Sequence, residues 1–297
     1  MAPPGKATST SHQASTPGVR CSACARVIDD PEVDVVYNPL ANSLHAPWNL
    51  AAIAAGKPVL SEKPFARNES EARHVAEVAD AAGVTVLEGF HYFFHPVTQR
   101  AFALAADGTI GELTHVEVRM AMPTPGDDDP RWSLELAGGA LMDLGCYGLH
   151  VMRSLGRLAM PGIEGLPSIV RAHAEQRTPG LDAWCDVEIG FRGGATGLAA
   201  HSMVGDHYSF TIRIVGTRGD LLVHDFVKPN GDDRLTVNTP AGSTVERLGT
   251  RASYTYQLEA FAAHVEHGAE LPFGTADAVA NMVFVDSAYR AAGMQPR

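Results

Sequence analysis

Apolar and polar positions along the chain follow two regimes that change near Gly111. In the first, short β-branched runs alternate with stretches of helical spacing. Val33-Asp34-Val35-Val36-Tyr37 reads as a strand that runs into the loop Asn38 to His45. From Ala46 to Ala55 the pattern is helical, with Trp48 and Ile53 packing inward and Gly56 at the C-cap. Val59-Leu60 forms the next strand. Asn68 predicts a cap for a helix over Glu69 to Ala82, where Val75, Val78 and Ala79 recur at helical spacing, and Gly83 ends it. Val84 to Phe90 is a third strand. Strands and helices alternating at these lengths predict a parallel unit with helices on its faces.

Beyond Gly111 the pattern is one of strands in succession: Thr114 to Met122, Ser168 to Gln176, Ala183 to Phe191, Thr196 to Met203, Phe210 to Val215, Leu221 to Phe226 and Leu235 to Asn238. Turns such as Arg192-Gly193-Gly194 and Asn230-Gly231-Asp232 separate them, which predicts a large, mostly antiparallel sheet. Helices over Tyr254 to His267 and Thr275 to Ala292 close the chain. The fold class is therefore α/β followed by α+β. Residues 1–20, rich in Pro, Ser, Thr and Gly, lack the large apolar side chains that offset ordering entropy and read as a disordered arm. Residues 21–95 make the parallel unit, opened by a short helix from Cys21 to Asp30, and residues 96–297 make the second domain.

Composition narrows the function. At 297 residues, 45% hydrophobic and 19% charged, the chain buries a real core and exceeds the usual single-domain size. A formal net charge of -11 argues against non-specific nucleic-acid binding. No apolar run approaches the ~20 residues of a membrane span, and no secretory signal opens the chain, so the expected setting is cytoplasmic. Cys21 and Cys24 have metal or redox spacing, yet no second pair of ligands stands near them, and incidental thiols are the better reading.

Two stretches carry chemistry. In the first, Glu62-Lys63-Pro64 follows directly on a strand, and Pro64 biases Lys63 towards extended geometry. Ligands of open α/β sheets bind at the carboxyl ends of strands, where this charged pair sits. The second is Gly138-Gly139-Ala140-Leu141-Met142-Asp143-Leu144-Gly145-Cys146-Tyr147, continuing to His150. On a helix starting near Gly139, Asp143, Tyr147 and His150 fall within about 60° of one another. That stripe predicts a polar cleft, because such groups are costly to bury without partners. The glycine pair would let a backbone or a ligand approach the helix start. His91 and His95 have helical metal spacing, but Pro96 follows and no third ligand is near, so no metal is expected. The loop Pro123 to Trp132, with Asp127-Asp128-Asp129, either belongs to substrate specificity or, the better reading, is merely solvated.

Taken together, Val33 to His45, Ala55 to Pro64, Glu88-Gly89-Phe90-His91-Tyr92 with His95-Pro96, and Gly138 to Tyr147 resemble the Gfo/Idh/MocA oxidoreductases. Tyrosine at position 147 resembles the branch with glucose-fructose oxidoreductase, dimeric dihydrodiol dehydrogenase and NADP-dependent xylose dehydrogenase. The resemblance implies a Rossmann-type domain, NADP or NAD as cofactor, and hydride transfer to or from a sugar or cyclic diol. It makes Lys63 and Tyr147 the catalytic pair with Asp143 beside the substrate, and it puts Asn42, His45 and Glu62 with Lys63 on the nicotinamide-ribose side. His91 and His150 are expected on the substrate side, with a homodimer formed through the antiparallel sheet. A lysine ammonium near a tyrosine favours the phenolate and is expected to lower its pKa.

The Gly-x-Gly-x-x-Gly turn that cradles the pyrophosphate of such cofactors does not occur in the sequence. A partial, N-terminally truncated Rossmann-type sheet is therefore expected, with an open strand edge, an uncovered apolar helix face and weakened cofactor binding. Two functions follow: an oxidoreductase, active or silenced in this form, or a non-catalytic interaction subunit that uses the antiparallel sheet.

Overall fold

A computed structural model describes residues 22–158 and 165–297. The expected arm over residues 1–20 and Cys21 of the cysteine pair lie outside the described residues. The first half runs α1 (Ser22–Asp29), β1 (Val36–Asn38), α2 (His45–Ala54), β2 (Val59–Ser61), α3 (Glu69–Ala82) and β3 (Val86–Glu88). Its three strands pair in parallel in the order β1-β2-β3. Val33 to Val35, expected within the first strand, stay outside the ladder because pairing with β2 starts at Val36. The cap of α3 is as the sequence suggests: the Asn68 side chain accepts from Glu71 N at 3.1 Å, and Gly83 is left-handed.

α4 (Pro96–Ala106) leads into β4 (Leu113–Pro123), then a π turn (Leu141–Gly145) and α5 (Cys146–Arg157). There follow β5 (Ser168–Thr178), β6 (Leu181–Gly190), β7 (Thr196–Gly205), β8 (Ser209–Gly216), β9 (Gly219–Val223), β10 (Arg234–Thr239) and β11 (Gly242–Arg247), then α6 (Ser253–His267) and α7 (Thr275–Ala291). The eight strands run in the order β11-β10-β9-β8-β4-β7-β6-β5. All neighbours are antiparallel except β4 and β7, which pair in parallel at the centre. No sequence pattern announced β11, because its residues are almost all exposed and show no alternation of buried positions. One face of the sheet, carrying Val116, Val118, Ala199, Met203, Ile212 and Ile214, is buried. The π turn and α5 lie against that side.

β1 has a strand partner on one side only among the described residues, and Val35 and Tyr37 are exposed. The expected uncovered helix face is not found. No large apolar side chain of α1, α2 or α3 is exposed, because α7 returns from the end of the chain to pack on α3, and α1 and α3 pack on α2. The two halves therefore share one core. No helix among the described residues is long and apolar enough to cross a membrane.

Glu88, the last residue of β3, is 1% exposed. Its Oε1 accepts from Phe65 N at 2.8 Å, while Oε2 has no hydrogen-bond partner. Burial, then the charge of Asp277, raises its pKa well above the carboxylate range. A raised acid favours folding most when protonated, so its contribution falls as pH climbs above the ordinary value of ~4.3. Glu88→Gln does not titrate, and its melting temperature relative to wild type is expected to be higher at pH 8 than at pH 5. Equal differences at both pH values would contradict an ionisable, buried Glu88.

Candidate active site

The carboxyl ends of β2 and β3 meet the π turn and α5. Lys63 leaves β2 through a cis peptide to Pro64. Its Nζ donates to Asp143 O at 2.8 Å and to Asp143 Oδ1 at 3.0 Å. Asp143 Oδ2 accepts from Arg131 Nε at 2.9 Å, so one carboxylate joins two cations. Burial alone would raise the Asp143 pKa, but Lys63 and then Arg131 outweigh it and hold the carboxyl below its ordinary value. Burial would likewise lower the Lys63 pKa, and the charge of Asp143, ahead of the other neighbours, more than restores it.

Tyr147 lies beside this pair, with Lys63 Nζ 5.1 Å from its ring centroid. Its Oη is 3.0 Å from His91 Nε2. Burial, followed by the negative neighbours Glu62, Tyr254, Cys146 and Asp143, pushes its pKa well above 10. The expected lowering by lysine is thus reversed: burial and the negative neighbours prevail, and the ammonium is hydrogen-bonded to Asp143. His91 is fully buried and continues to Ser253 Oγ, 2.8 Å from its Nδ1. Its ring stacks on Tyr254 at 3.9 Å between centroids. Tyr37 Oη donates to Glu62 Oε1 at 2.7 Å on the exposed side of the same crevice.

The stripe expected of Asp143, Tyr147 and His150 is broken. A π turn occupies Leu141–Gly145, and its wider winding rotates Asp143 relative to the α-helix that follows. Asp143 and Tyr147 face the ends of β2 and β3. His150 is 0% exposed and lies inside the protein: its Nδ1 is 2.7 Å from Tyr92 Oη and its Nε2 is 3.0 Å from Asp277 Oδ2. His45 also departs from its expected place on the cofactor side. It is 1% exposed, with Nδ1 2.6 Å from Pro64 O and Nε2 2.8 Å from Leu40 O, and so braces the turn that carries Lys63. Asn42 donates from Nδ2 to Ala137 O at 2.9 Å, tying the loop after β1 to the loop before the π turn.

The glycine pair admits protein rather than ligand. A Cβ on Gly138 would lie 2.3 Å from Arg131 O, and Gly139, at φ +116°, would bring one within 2.1 Å of Asp182 Oδ1. Asp182 Oδ2 in turn accepts from Leu141 N at 2.6 Å, anchoring the start of the π turn. Arg131 belongs to the loop read as solvated, and no local pattern marked it. Its place follows from Asp129, whose side chain caps the short turn Pro130–Trp132 by accepting from Arg131 N. Ser253 and Tyr254 were equally hidden at the start of a helix about 160 positions away from His91 in sequence.

A parallel sheet whose strand end presents Glu62 and Lys63 to Asp143 of the π turn and Tyr147 of α5, beside an eight-stranded sheet, is the arrangement of an α/β enzyme that binds its ligand at the carboxyl ends of its strands. The profile described as "Oxidoreductase family, NAD-binding Rossmann fold" matches residues 4–90, and that described as "GFO/IDH/MocA C-terminal domain" matches residues 98–222. The chain is 33% identical over 270 residues to D-xylose 1-dehydrogenase (NADP(+)) 2 of Haloferax volcanii, spanning 90% of this chain and 80% of that one. It is 28% identical over 248 residues to the dTDP-3,4-didehydro-2,6-dideoxy-alpha-D-glucose 3-reductase of Streptomyces violaceoruber, 82% and 70% of the two chains. Among solved structures, the aldose-aldose oxidoreductase of Caulobacter crescentus superposes with a TM-score of 0.80 at 24% identity, covering 92% of this chain and 81% of that one. KijD10, a 3-ketoreductase from Actinomadura kijaniata in complex with NADP and TDP-benzene, gives 0.79 at 24% identity, covering 89% and 80%. The chain belongs to the GFO/IDH/MocA oxidoreductase family and is an NAD(P)-linked enzyme acting on sugar CH–OH groups.

Proposed function

We propose that Lys63, Asp143 and Tyr147 form the proton-handling site of a sugar oxidoreductase, with an aldose or keto-sugar as substrate. The observation that carries this reading is the buried Lys63–Asp143 pair set against the Tyr147 ring, at the strand ends where this fold class binds nicotinamide. Glu62, Lys63 and Asn42 suit the nicotinamide end: a carboxylate and an amide pair with hydroxyl and carboxamide groups. When bound, the nicotinamide supplies or takes up the hydride. Tyr147 handles the accompanying proton at Oη, giving it to the carbonyl oxygen during reduction and taking it from the hydroxyl during oxidation. Lys63 holds Asp143 in place and adds positive potential where negative charge develops on the substrate oxygen.

Because the Tyr147 phenol is raised above its ordinary value of ~10, it remains a proton donor throughout neutral pH. Reduction is expected to be flat from pH 6 to 9, whereas oxidation rises with pH across that range as phenolate becomes more available. Tyr147→Phe is expected to lower kcat in both directions by about 10²- to 10⁴-fold. The test begins with fluorescence titration by NADPH and NADH, followed by NADP-dependent oxidation of D-xylose and a panel of aldoses. Cofactor binding without turnover of any sugar in either direction would overturn the reading.

The same reading makes the protein a cytoplasmic homodimer paired through the open face of the eight-stranded sheet. Val170 and Val204, exposed on strands of that sheet, support the dimer. Light scattering of the purified chain measures it directly.

A further inference from the structure

Tyr147 Oη has one hydrogen-bond partner among the described residues, His91 Nε2, and Ser253 Oγ likewise has one, His91 Nδ1. Both hydroxyls and the imidazole between them are buried, with relative exposures of 4%, 2% and 0%. A neutral imidazole carries one N–H, so the three groups admit two arrangements. With the proton on Nδ1, Ser253 accepts from the ring, and its own proton is left without an acceptor in a buried site. Tyr147 must then donate to Nε2 and has no proton to present elsewhere. With the proton on Nε2, Ser253 donates to Nδ1, and Nε2 donates to Tyr147 Oη. Every buried proton then has an acceptor except the phenolic one, which is free to face the crevice. Each arrangement leaves one hydroxyl proton unpaired, that of Ser253 in the first and that of Tyr147 in the second, and only the second leaves it on the group that delivers a proton to substrate.

We infer that His91 is a positioning residue for Tyr147: held by Ser253 in the Nε2–H tautomer, it donates to the phenol oxygen and turns the phenolic proton towards the substrate. The inference rests on the reading of Tyr147 as the proton-transfer group. It also supplies what Lys63 does not, a donor aimed at the oxygen that becomes phenolate when the proton leaves. The charged and titratable groups facing the two rings are Glu62, Lys63, Asp143, Cys146, Tyr92 and Tyr254. Of these, Lys63 opposes a second proton on His91, and with burial, the larger effect, it lowers the ring's pKa to about 3. The imidazole therefore stays neutral, and its tautomer is constant over the working pH range.

The tautomer is read by ¹⁵N NMR of histidine-labelled protein, with the His91 signal identified by its loss in His91→Gln. A neutral ring protonated on Nε2 from pH 5 to 9 is expected, and Ser253→Ala is expected to abolish that preference. An Nδ1–H tautomer in the wild type, or a ring that titrates within this range, overturns the proposal. This readout requires no turnover, so it stands apart from the test of the sugar oxidoreductase reading. In kinetics, His91→Leu is expected to lower kcat by about 10²-fold with KM within about twofold. It is also expected to shift the rise of oxidation with pH to higher values. His91→Gln, whose amide reaches to the position of Nε2, restores most of the rate and the wild-type pH profile. Equal losses in the Leu and Gln variants with an unmoved profile would mean that His91 only fills space.

Discussion

Replacing Lys63 by methionine is expected to reduce kcat by about 10³-fold, with sugar oxidation and carbonyl reduction falling together. The ammonium makes two hydrogen bonds to one residue, the main-chain and side-chain oxygens of Asp143. Methionine keeps the aliphatic stem and removes the charge. The Asp143 carboxylate, 13% exposed, then retains Arg131 alone, which approaches from a half-exposed loop. A buried carboxylate stripped of one partner moves its pKa upward and pulls on the segment that carries it. Asp143 lies within the π turn that leads directly into α5, and its N donates to the carbonyl of Gly139, two residues before that turn, so a shift of Asp143 propagates to Tyr147. Lys63→Arg is the informative companion. Arginine preserves charge but not the compact donor that reaches both Asp143 oxygens, and it is expected to recover stability more fully than rate. Wild-type kcat in Lys63→Met would remove Lys63 from the mechanism.

Asp277→Ala is expected to cost about 3–5 kcal/mol of stability, which for a chain of this size is a fall in melting temperature on the order of 10 °C. Its carboxylate, 4% exposed, receives Arg153 Nη2 at 2.8 Å, Arg157 Nη1 at 2.6 Å and, on the other oxygen, His150 Nε2 at 3.0 Å. Three groups of α5 thus converge on one residue of α7. Removing it leaves Arg153 buried with only the Asn281 side chain, 3.4 Å away. Burial opposes ionisation of Asp277, but His150 and the two arginines prevail and depress its pKa. For a depressed acid, the contribution is full above the unfolded value of ~3.9 and disappears as pH falls through the folded value. The stability gap between wild type and Asp277→Asn should therefore be constant from pH 5 to 8 and narrow below pH 4. Differential scanning at several pH values decides this, and a gap that widens in acid would contradict the assignment. Since α5 carries Tyr147, activity is expected to fall with stability.

Much of this architecture was legible from local pattern. Strands β2 and β3, helix α3 with its Asn68 cap and Gly83 stop, and the run of strands after Gly111 all follow from hydrophobic period and punctuation. Lys63 and Asp143 were recognisable because charge at a strand end and in an apolar helix has to be explained. Where the reading failed, the deciding force acted between segments far apart in sequence. His150 looked like a site residue by helical spacing and His45 by the family resemblance, yet each is bonded by groups drawn from other segments and closed off from the crevice. Arg131 looked like loop charge until the chain folded Asp143 against it.

The sequence alone determined that the chain alternates into a parallel unit and then an antiparallel one, that the Glu62–Lys63 pair ends a strand, and that an acid and a phenol follow the glycine pair. These are properties of neighbours a few residues apart, where backbone preference and side-chain period suffice. Tertiary structure alone decided the parallel pairing of β4 with β7, the cover that α7 gives the first half, the π turn that separates Asp143 from His150, and the protonation of Tyr147. The last is the most consequential for chemistry. A tyrosine's acidity is set by the water it loses and the charges it gains, and those are fixed only when β2, β3, α5 and α6 close around it.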